Sequence, residues 1–269
     1  MELETVIFEV GNGVAKVVLN RPDMLNSLNE QMLRDLLLVA EECERNDAIK
    51  AVLVTGSGRA FCAGADLGNI PLDKSPEARA ATGKIVKDMM DELFNPVLSK
   101  FAQLNKPVVN AINGMAAGGG VGFSVAGDIN IAAESAKFKQ VFIPQLGIIP
   151  DLGSTWFLPR LVGRAKAMGL ALLGDTVDAQ EAERLGLIWK VYPDDQLLEE
   201  AHKLAQKLAD GPSFGIAKLK EAFRVSESNS LDQQLAHEAD TQLQCCASED
   251  FVEGVTAFMQ KRKPDFKGC

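Results

Sequence analysis

Along the first two thirds of the chain, two kinds of apolar pattern follow one another in turn. Short runs rich in valine, isoleucine and alanine predict buried strands, and stretches with apolar residues three and four positions apart predict amphipathic helices. The strands predicted in this way are 5–10, 15–19, 51–55, 107–112, 128–132 and 187–191. The helices are 29–45, 77–104 with a break near Pro96, 151–160, 164–173 and 178–185. Glycine and asparagine at 11–13 predict a hairpin between the first two strands, and 136–150 is predicted to be irregular.

The pattern changes after Pro193, because the remaining apolar stretches all have helical spacing and no strand pattern separates them. The helices predicted there are 197–209, 214–226, 231–246 and 250–262. A mixture of strands and helices followed by helices alone predicts an α/β core over 1–195 and a helical C-terminal region over 196–269. The apolar stripes of these last helices indicate packing on the core or on another subunit.

Composition excludes several classes of function. The chain has 269 residues, a net charge of −9 and a pI of about 4.9, which argues against nucleic acid as its partner. No apolar stretch reaches the roughly 18–20 residues that span a membrane. The five cysteines have no metal-ligand spacing, and an odd number of them fits reduced thiols. Since the N-terminal residues also lack a secretion signal, we expect a cytoplasmic protein without a bound metal.

Glycines are concentrated in 113–128, which reads NGMAAGGGVGFSVAGD. Three of them are consecutive, Gly118 to Gly120, between a predicted strand and a small-residue segment typical of a helix. Consecutive glycines cost backbone entropy, so they are expected where the backbone must approach another group closely. The N-terminus of a helix also offers free N–H donors to a negative oxygen. A tight turn with close helix packing is the alternative explanation.

A second segment, 61–66, reads FCAGAD and lies about fifty residues before the glycine run. The two segments together resemble the crotonase (enoyl-CoA hydratase/isomerase) superfamily. Further matches are NRP at 20–22, LNSL at 25–28, GD at 127–128, LPRLVG at 158–163 and EG at 253–254. The resemblance implies a spiral of ββα units with a helical C-terminal region, assembled as a homotrimer or a dimer of trimers. It also implies an acyl-CoA substrate, with coenzyme A part of the substrate and no separate cofactor.

By motif position, the resemblance implies an oxyanion hole made by the backbone N–H groups of Ala65 and Gly119. Such donors stabilise the enolate of a thioester. Hydratases of the family also carry two glutamates. One of these positions is Gly122 here, and the other falls in 141–143, where the register is uncertain and no carboxylate is present. We therefore do not expect hydration by the two-glutamate route.

Isomerases of the family instead place one carboxylate where this chain has Asp151. Neighbours such as Ile149, Leu152 and Trp156 predict a desolvated carboxyl group, whose raised pKa would suit proton transfer. Asp151 would then remove a proton from one carbon and return it two carbons away. The alternative is that Asp151 caps the helix that begins near Gly153.

Segments 147–160, 164–174 and 186–189 resemble a subgroup of isomerases that rearrange a ring epoxide of phenylacetyl-CoA to an oxepin in phenylacetate degradation. A fatty-acid 3-enoyl-CoA isomerase, a hydratase with an unidentified base and a non-catalytic acyl-CoA-binding protein are the alternatives. Asp66 is expected to cap a helix, and Cys62 to be a buried, unreactive thiol. The resemblance assigns coenzyme A contacts to Leu25, Ala63, Gly64, Asp66, Leu67, Gly68 and Gly118, with Phe258 and Lys261 contributed by a neighbouring subunit. The alternatives for the last two are an apolar core residue and a solvated lysine. Trp156 could line the acyl pocket or simply pack.

Overall fold

The computed structural model describes residues 1–68 and 73–269, and ten strands are assigned within them. They are β1 (Val6–Gly11), β2 (Val14–Leu19), β3 (Ala51–Gly56), β4 (Ala60–Cys62), β5 (Val108–Ile112), β6 (Met115–Ala117), β7 (Ile129–Ala133), β8 (Lys137–Lys139), β9 (Val177–Asp178) and β10 (Lys190–Tyr192). The larger sheet has the order β1-β2-β3-β5-β7-β10 and the smaller sheet the order β4-β6-β8-β9.

The larger sheet carries every strand that the apolar runs predict. β1 and β2 form the expected antiparallel hairpin, in which Val6 pairs with Leu19 and Gly11 with Val14. The pairs β2–β3, β3–β5, β5–β7 and β7–β10 are all parallel. The central strands β3 and β5 are buried along their length, except for the last residue of β3. This burial fits their largely apolar sequences. The last strand is shorter than predicted, since it begins at Lys190 rather than at 187.

The smaller sheet is absent from the sequence predictions. Its strands contain only two or three residues, so their apolar pattern is too short to recognise, and they form through pairing with one another. β6 pairs in parallel with β4 and β8, which places the residues after β4 beside the residues after β6. The segment predicted as irregular, 136–150, therefore contains β8, followed by a π-helical turn at Phe142–Leu146.

Ten α-helices are assigned in the described residues. They are α1 (Glu30–Arg45), α2 (Pro76–Met89), α3 (Asn95–Gln103), α4 (Gly119–Val125), α5 (Ser154–Leu173), α6 (Ala179–Leu185), α7 (Leu197–Ala209), α8 (Ser213–Ser226), α9 (Leu231–Cys246) and α10 (Glu249–Gln260). The fifth is kinked at Gly163, whose φ of +74° and ψ of 157° are not helical, as the two separate helices predicted over 151–160 and 164–173 require. α1 begins as predicted, because the Asn29 side chain accepts a hydrogen bond from the Met32 N–H. The interruption predicted near Pro96 takes the form of a π-helical turn at Met90–Phe94, which joins α2 to α3 and leaves Pro96 in the first turn of α3, where it is tolerated.

The four predicted C-terminal helices are confirmed within one or two residues of their predicted ends. α7 lies against the larger sheet, and its residues Leu197, Ala201 and Ala205 are buried in the core. α8 and α9 contain no fully buried residue. Apolar side chains such as Phe223, Leu243 and Phe258 are exposed on these later helices. Among the described residues, no helix is long and apolar enough to cross a membrane.

Candidate active site

The backbone N–H of Ala65 is oriented by a single parallel bridge to Leu28. The Leu28 N–H donates to the Gly64 carbonyl at 2.8 Å, and the Asp66 N–H donates to the Leu28 carbonyl at 3.0 Å. In a parallel bridge of this kind, one residue makes both hydrogen bonds, and here that residue is Leu28. Ala65 lies between the two residues that Leu28 bonds, so its own N–H is directed to the other side. The Ala65 N–H therefore points away from Leu28.

The second donor lies at the start of α4. Gly119 is the first helical residue, and the N–H groups of a first helical turn have no acceptor within the helix. Gly118 precedes it with φ +53° and ψ −129°, a conformation that is accessible to glycine and rarely to other residues. The Gly118 N–H donates to the Lys139 carbonyl at 2.9 Å, which fixes the entry of the chain into α4.

Close backbone contact brings these two segments together. A Cβ atom added at Gly64 would lie 2.9 Å from the Ala117 carbonyl oxygen and 3.1 Å from the Gly119 nitrogen. A Cβ atom added at Gly120 would lie 2.1 Å from the Cys62 carbonyl oxygen. Only glycine fits either position without a shift of the backbone. The glycine run is thus explained by the approach of 62–65 to the N-terminus of α4, and the two donors lie close together.

Asp151 lies beside Gly119, the second of these donors. Its Oδ1 atom is 2.9 Å from the position of a Cβ atom added at Gly119. The carboxyl group is half-buried, and burial raises its pKa to about 6, opposed only in part by its own backbone N–H. No charged side chain of the described residues contributes to this shift. The alternative of a helix cap is wrong, since the N-cap of α5 is Gly153 and no side chain in the described chain bonds there.

The two positions at which family hydratases carry glutamates hold no carboxylate. Gly122 lies inside α4, and a Cβ atom added there would be 2.0 Å from the Leu152 carbonyl oxygen. The backbone of 152 thus fills the space that a side chain at 122 would enter. The segment 137–150 contains no aspartate or glutamate. Asp151 is therefore the one carboxylate that the described residues place against Gly119.

Most residues that the resemblance assigns to coenzyme A lie in the segment that contains Ala65, and Leu25 is hydrogen-bonded to that segment. Leu25 has φ +51°, and its carbonyl accepts a hydrogen bond from the Ala63 N–H at 3.0 Å. Leu67 is exposed, and the Gly68 N–H donates to the Asp66 carboxylate at 3.1 Å. Leu25 and the segment 63–68 thus form one continuous backbone surface beside Ala65.

Asp66 differs from its expected role as a helix cap. The next described helix, α2, is capped by Ser75, whose side chain accepts from the Ala78 N–H. Asp66 instead forms an ion pair with Arg21 at 2.9 Å. Hydrogen bonding to the Gly68 N–H, followed by the contact with Arg21, lowers the pKa of Asp66. Its carboxylate therefore stays charged, and its contacts with Arg21 and Gly68 stabilise the loop that carries Ala65.

The remaining predicted contacts lie farther along the chain. Trp156, in the first turn of α5, lines an apolar cavity of about 690 Å³ between α3, α5 and α8. The Arg160 guanidinium lies 3.3 Å from its ring centroid. Phe258 is 85% exposed on α10, and Lys261 ends that helix. The described residues of a single chain do not bring Phe258 or Lys261 to Ala65 and Gly119.

Other side chains near the site are chemically quiet. Cys62 is fully buried, and burial raises the pKa of its thiol to about 12, as its predicted inert role requires. In residues 1–68 and 73–269, no group of three histidine, cysteine or acidic side chains is arranged to hold a metal ion. One important residue was missed by sequence reasoning: Leu152, which follows Asp151 with φ +44°. No sequence signal marks a leucine for this conformation.

A family model described as enoyl-CoA hydratase/isomerase matches residues 9–269 of the chain. The 1,2-epoxyphenylacetyl-CoA isomerase of Escherichia coli is 44% identical over 266 residues, which cover 99% of each chain. The short-chain-enoyl-CoA hydratase of Clostridium acetobutylicum is 35% identical and matches 98% of this chain and 97% of its own. The crystal structure of enoyl-CoA hydratase from Bacillus anthracis has a TM-score of 0.88 at 33% identity, covering 99% of this chain and 100% of that one. These similar proteins include both an isomerase and hydratases.

Proposed function

Because this chain belongs to the enoyl-CoA hydratase/isomerase (crotonase) family, we propose that it is an acyl-CoA isomerase with Asp151 as its single acid/base group. Membership of the family confirms the predicted α/β crotonase fold and identifies an enzyme of the hydratase/isomerase class. The proposed oxyanion hole consists of the Ala65 and Gly119 N–H groups. The observation that carries the proposal is the position of the Asp151 carboxylate, 2.9 Å from the Cβ position of Gly119.

The proposed reaction begins with the thioester carbonyl accepting hydrogen bonds from the two backbone donors. The Asp151 carboxylate removes a proton from the carbon next to the thioester, and the electron pair moves onto the carbonyl oxygen. The donors stabilise this enolate, an effect usually worth a factor of about 10² to 10³ for each donor. With a 3-enoyl-CoA, the protonated Asp151 then delivers the proton to the carbon two positions away, so the double bond shifts and no water is added. With a ring epoxide, the bond between the two epoxide carbons also breaks and the ring double bonds rearrange to an oxepin, and the same proton transfer completes an isomerisation without change of mass.

The pKa of Asp151 suits both halves of this cycle. A group that must first accept and then donate the same proton works best when its pKa is close to the working pH. Because burial raises the pKa of Asp151 to about 6, the carboxylate is mostly ionised at neutral pH and can accept a proton. Its protonated form is then a stronger proton donor than a carboxyl group with a higher pKa would be. A solvated carboxylate with a pKa of 3.8 would be a weaker base.

For the substrate, we propose the ring epoxide of phenylacetyl-CoA, with a 3-enoyl-CoA as the second candidate. The similarity to the 1,2-epoxyphenylacetyl-CoA isomerase of Escherichia coli, 44% identical over nearly the whole chain, supports the first. Leu25 and the segment 63–68 would bind the coenzyme A part, and Trp156 would contact the acyl group. The relatives named as hydratases make hydration of a 2-enoyl-CoA the alternative that an experiment must exclude.

The proposed assembly is a homotrimer or a dimer of trimers, in which Phe258 and Lys261 complete a neighbouring subunit's site. Phe258 is 85% exposed and shares α10 with the exposed side chains of Phe251, Val255 and Met259, which supports this proposal because contiguous exposed apolar patches mark protein–protein contact sites. Sedimentation velocity would measure the mass of the assembly. A monomer at micromolar concentration would contradict the proposal.

The function is tested by incubating the purified protein separately with 1,2-epoxyphenylacetyl-CoA, a 3-enoyl-CoA and a 2-enoyl-CoA, and following the products by chromatography and mass. We expect isomers of unchanged mass from the first two substrates and no addition of water to the third. Asp151→Asn should reduce turnover by at least 10² to 10⁴ while the CoA ester still binds. The matched control is Asp195→Asn, at an exposed aspartate before α7, which should retain full activity.

Three results would contradict the proposal. Water addition to the 2-enoyl-CoA at a comparable rate would identify a hydratase with another base. Turnover by Asp151→Asn close to that of the unmodified protein would remove Asp151 from the mechanism. Binding of all three CoA esters without any conversion would indicate a non-catalytic acyl-CoA-binding protein.

A further inference from the structure

The residue that follows Asp151 has a backbone conformation that is unfavourable for its side chain. Leu152 is buried, and its φ of +44° lies in the left-handed region. Residues other than glycine, asparagine and aspartate rarely adopt such angles. In a bulky residue such angles persist only where the surrounding structure imposes them. Leu152 precedes α5 rather than ending a helix, so no C-terminal cap requires this conformation.

Two glycines of α4 leave the space that Leu152 occupies in this conformation. A Cβ atom added at Gly122 would lie 2.0 Å from the Leu152 carbonyl oxygen and 2.9 Å from its carbonyl carbon. A Cβ atom added at Gly119 would lie 2.6 Å from Leu152 Cδ1 and 2.9 Å from Asp151 Oδ1. The carbonyl group and the side chain of Leu152 thus occupy the space that side chains on this face of α4 would otherwise fill.

We propose that Leu152 is a positioning residue: its left-handed backbone, seated on Gly119 and Gly122, sets the Asp151 carboxylate beside the oxyanion donor. This inference rests on the proposed role of Asp151 as the acid/base group. It also assigns a function to Gly122, whose missing side chain makes room for the Leu152 carbonyl.

The arrangement matters because proton transfer depends on distance. A displacement of about 1 Å in an active site lowers the rate by as much as about 10². Asp151 follows a proline and precedes two residues with positive φ, Leu152 and Gly153, so a change of the Leu152 backbone angles would rotate the preceding peptide group. Contacts on both the carbonyl and the side chain of Leu152 oppose such a rotation.

Gly122→Ala tests the backbone half of the proposal. The added methyl group cannot remain 2.0 Å from the Leu152 oxygen, so the 151–153 segment must move away from α4. We expect kcat to fall by about 10- to 100-fold, with KM for the CoA ester within about twofold of its original value. The matched control is Gly169→Ala in α5, where an added Cβ atom meets no heavy atom within 4 Å, and kcat should be unchanged.

Leu152→Gly and Leu152→Met test the side-chain half. Glycine accepts the left-handed angle but loses the contact with Gly119 and lets the backbone rotate, so kcat should fall by about tenfold or more. Methionine keeps a similar volume and should retain kcat within about threefold. The pH profile adds a readout that a purely structural role would not move: water reaching the displaced carboxylate should lower the apparent pKa in kcat/KM for Gly122→Ala and Leu152→Gly.

The failure of this inference is distinguishable from failure of the proposed function. If Asp151→Asn is inactive while Gly122→Ala and Leu152→Gly keep their kcat and pH profile, the positioning role is wrong and the role of Asp151 stands. If Asp151→Asn is active, the proposed function itself is wrong. Circular dichroism and thermal unfolding establish that each variant is folded. Should Gly122→Ala fail to fold, the contrast between Leu152→Gly and Leu152→Met decides, and equal kcat values for these two would overturn the proposal.

Discussion

Replacing Asp151 by asparagine is expected to stabilise the protein at neutral pH while it removes catalysis. Burial raises the pKa of Asp151 from 3.8 to about 6, which means that folding disfavours the ionised carboxylate. For a carboxyl group with a raised pKa, the free energy of unfolding falls as the pH rises from below 3.8 to above 6, and it is constant beyond. Asparagine has no charge to desolvate, so the variant does not show this loss.

The size of the effect follows from the two pKa values. A difference of roughly two pKa units corresponds to about 3 kcal/mol between the fully protonated and the fully ionised limits. At pH 5 the linkage relation gives about half of this loss, and by pH 8 it gives nearly all of it. The stability of Asp151→Asn relative to the unmodified protein should therefore increase by about 1–2 kcal/mol between pH 5 and pH 8.

The assay is urea unfolding at pH 5, 6, 7 and 8, at one fixed protein concentration because subunit association affects apparent stability. The control Asp195→Asn, at an exposed position, should differ from the unmodified protein by the same small amount at every pH. A stability difference for Asp151→Asn that stays constant with pH would mean that the carboxyl group is hydrated in the folded protein. A difference that shrinks as the pH rises would contradict the sign of the pKa shift.

Two further predictions concern the backbone that presents the donors. Gly120→Ala places a methyl group 2.1 Å from the Cys62 carbonyl oxygen and should separate the two donor segments, lowering kcat/KM in a steady-state assay by about 10² to 10³; activity equal to that of the control Gly169→Ala would contradict the predicted geometry. Asn110→Ala removes a buried side-chain amide that donates hydrogen bonds to two carbonyl groups near the end of α4, those of Phe123 at 3.1 Å and Ser124 at 2.9 Å. It should lower the free energy of unfolding by about 3 kcal/mol in urea, and a loss no greater than that of the exposed control Asn105→Ala would refute this.

Much of the fold is readable from the sequence because its long elements bury wide apolar surfaces. The helix α1 has both an apolar stripe and a local start signal at Asn29, and the C-terminal helices α9 and α10 directly follow Ser230 and Ser248, which also act as N-caps. The strands β3 and β5 are largely apolar runs. The smaller sheet has no such signal: β9 contains two residues, and its partner β8 contains three. Tertiary pairing, rather than local preference, makes these residues extended.

The site was readable only in part. Glycine at 118–120 indicates a close backbone approach, and the family resemblance identifies Ala65 and Gly119 as the groups that meet. The pKa of Asp151 follows from burial by residues far apart in the chain, so its neighbours in sequence indicate the direction of the shift but not its size. The left-handed backbone of Leu152 has no sequence signal, since leucine is selected there by the space above Gly119 and Gly122.

Backbone strain in the described residues is concentrated around the proposed site. Five residues other than glycine have positive φ: Asn12, Leu25, Asn26, Leu152 and Lys261. Asn12 lies in a hairpin turn and Lys261 ends a helix, where such angles are common. The two leucines instead adjoin the groups that the proposed reaction needs, since the Leu25 carbonyl accepts a hydrogen bond from the Ala63 N–H and Leu152 follows Asp151, and Asn26 directly follows Leu25. Strain of this kind and a desolvated carboxylate both lower stability, and local rules are broken in this way where function requires it. If Asp151→Asn both increases stability and abolishes turnover as predicted, the burial of the carboxylate that opposes folding is the burial that the proposed acid/base group uses.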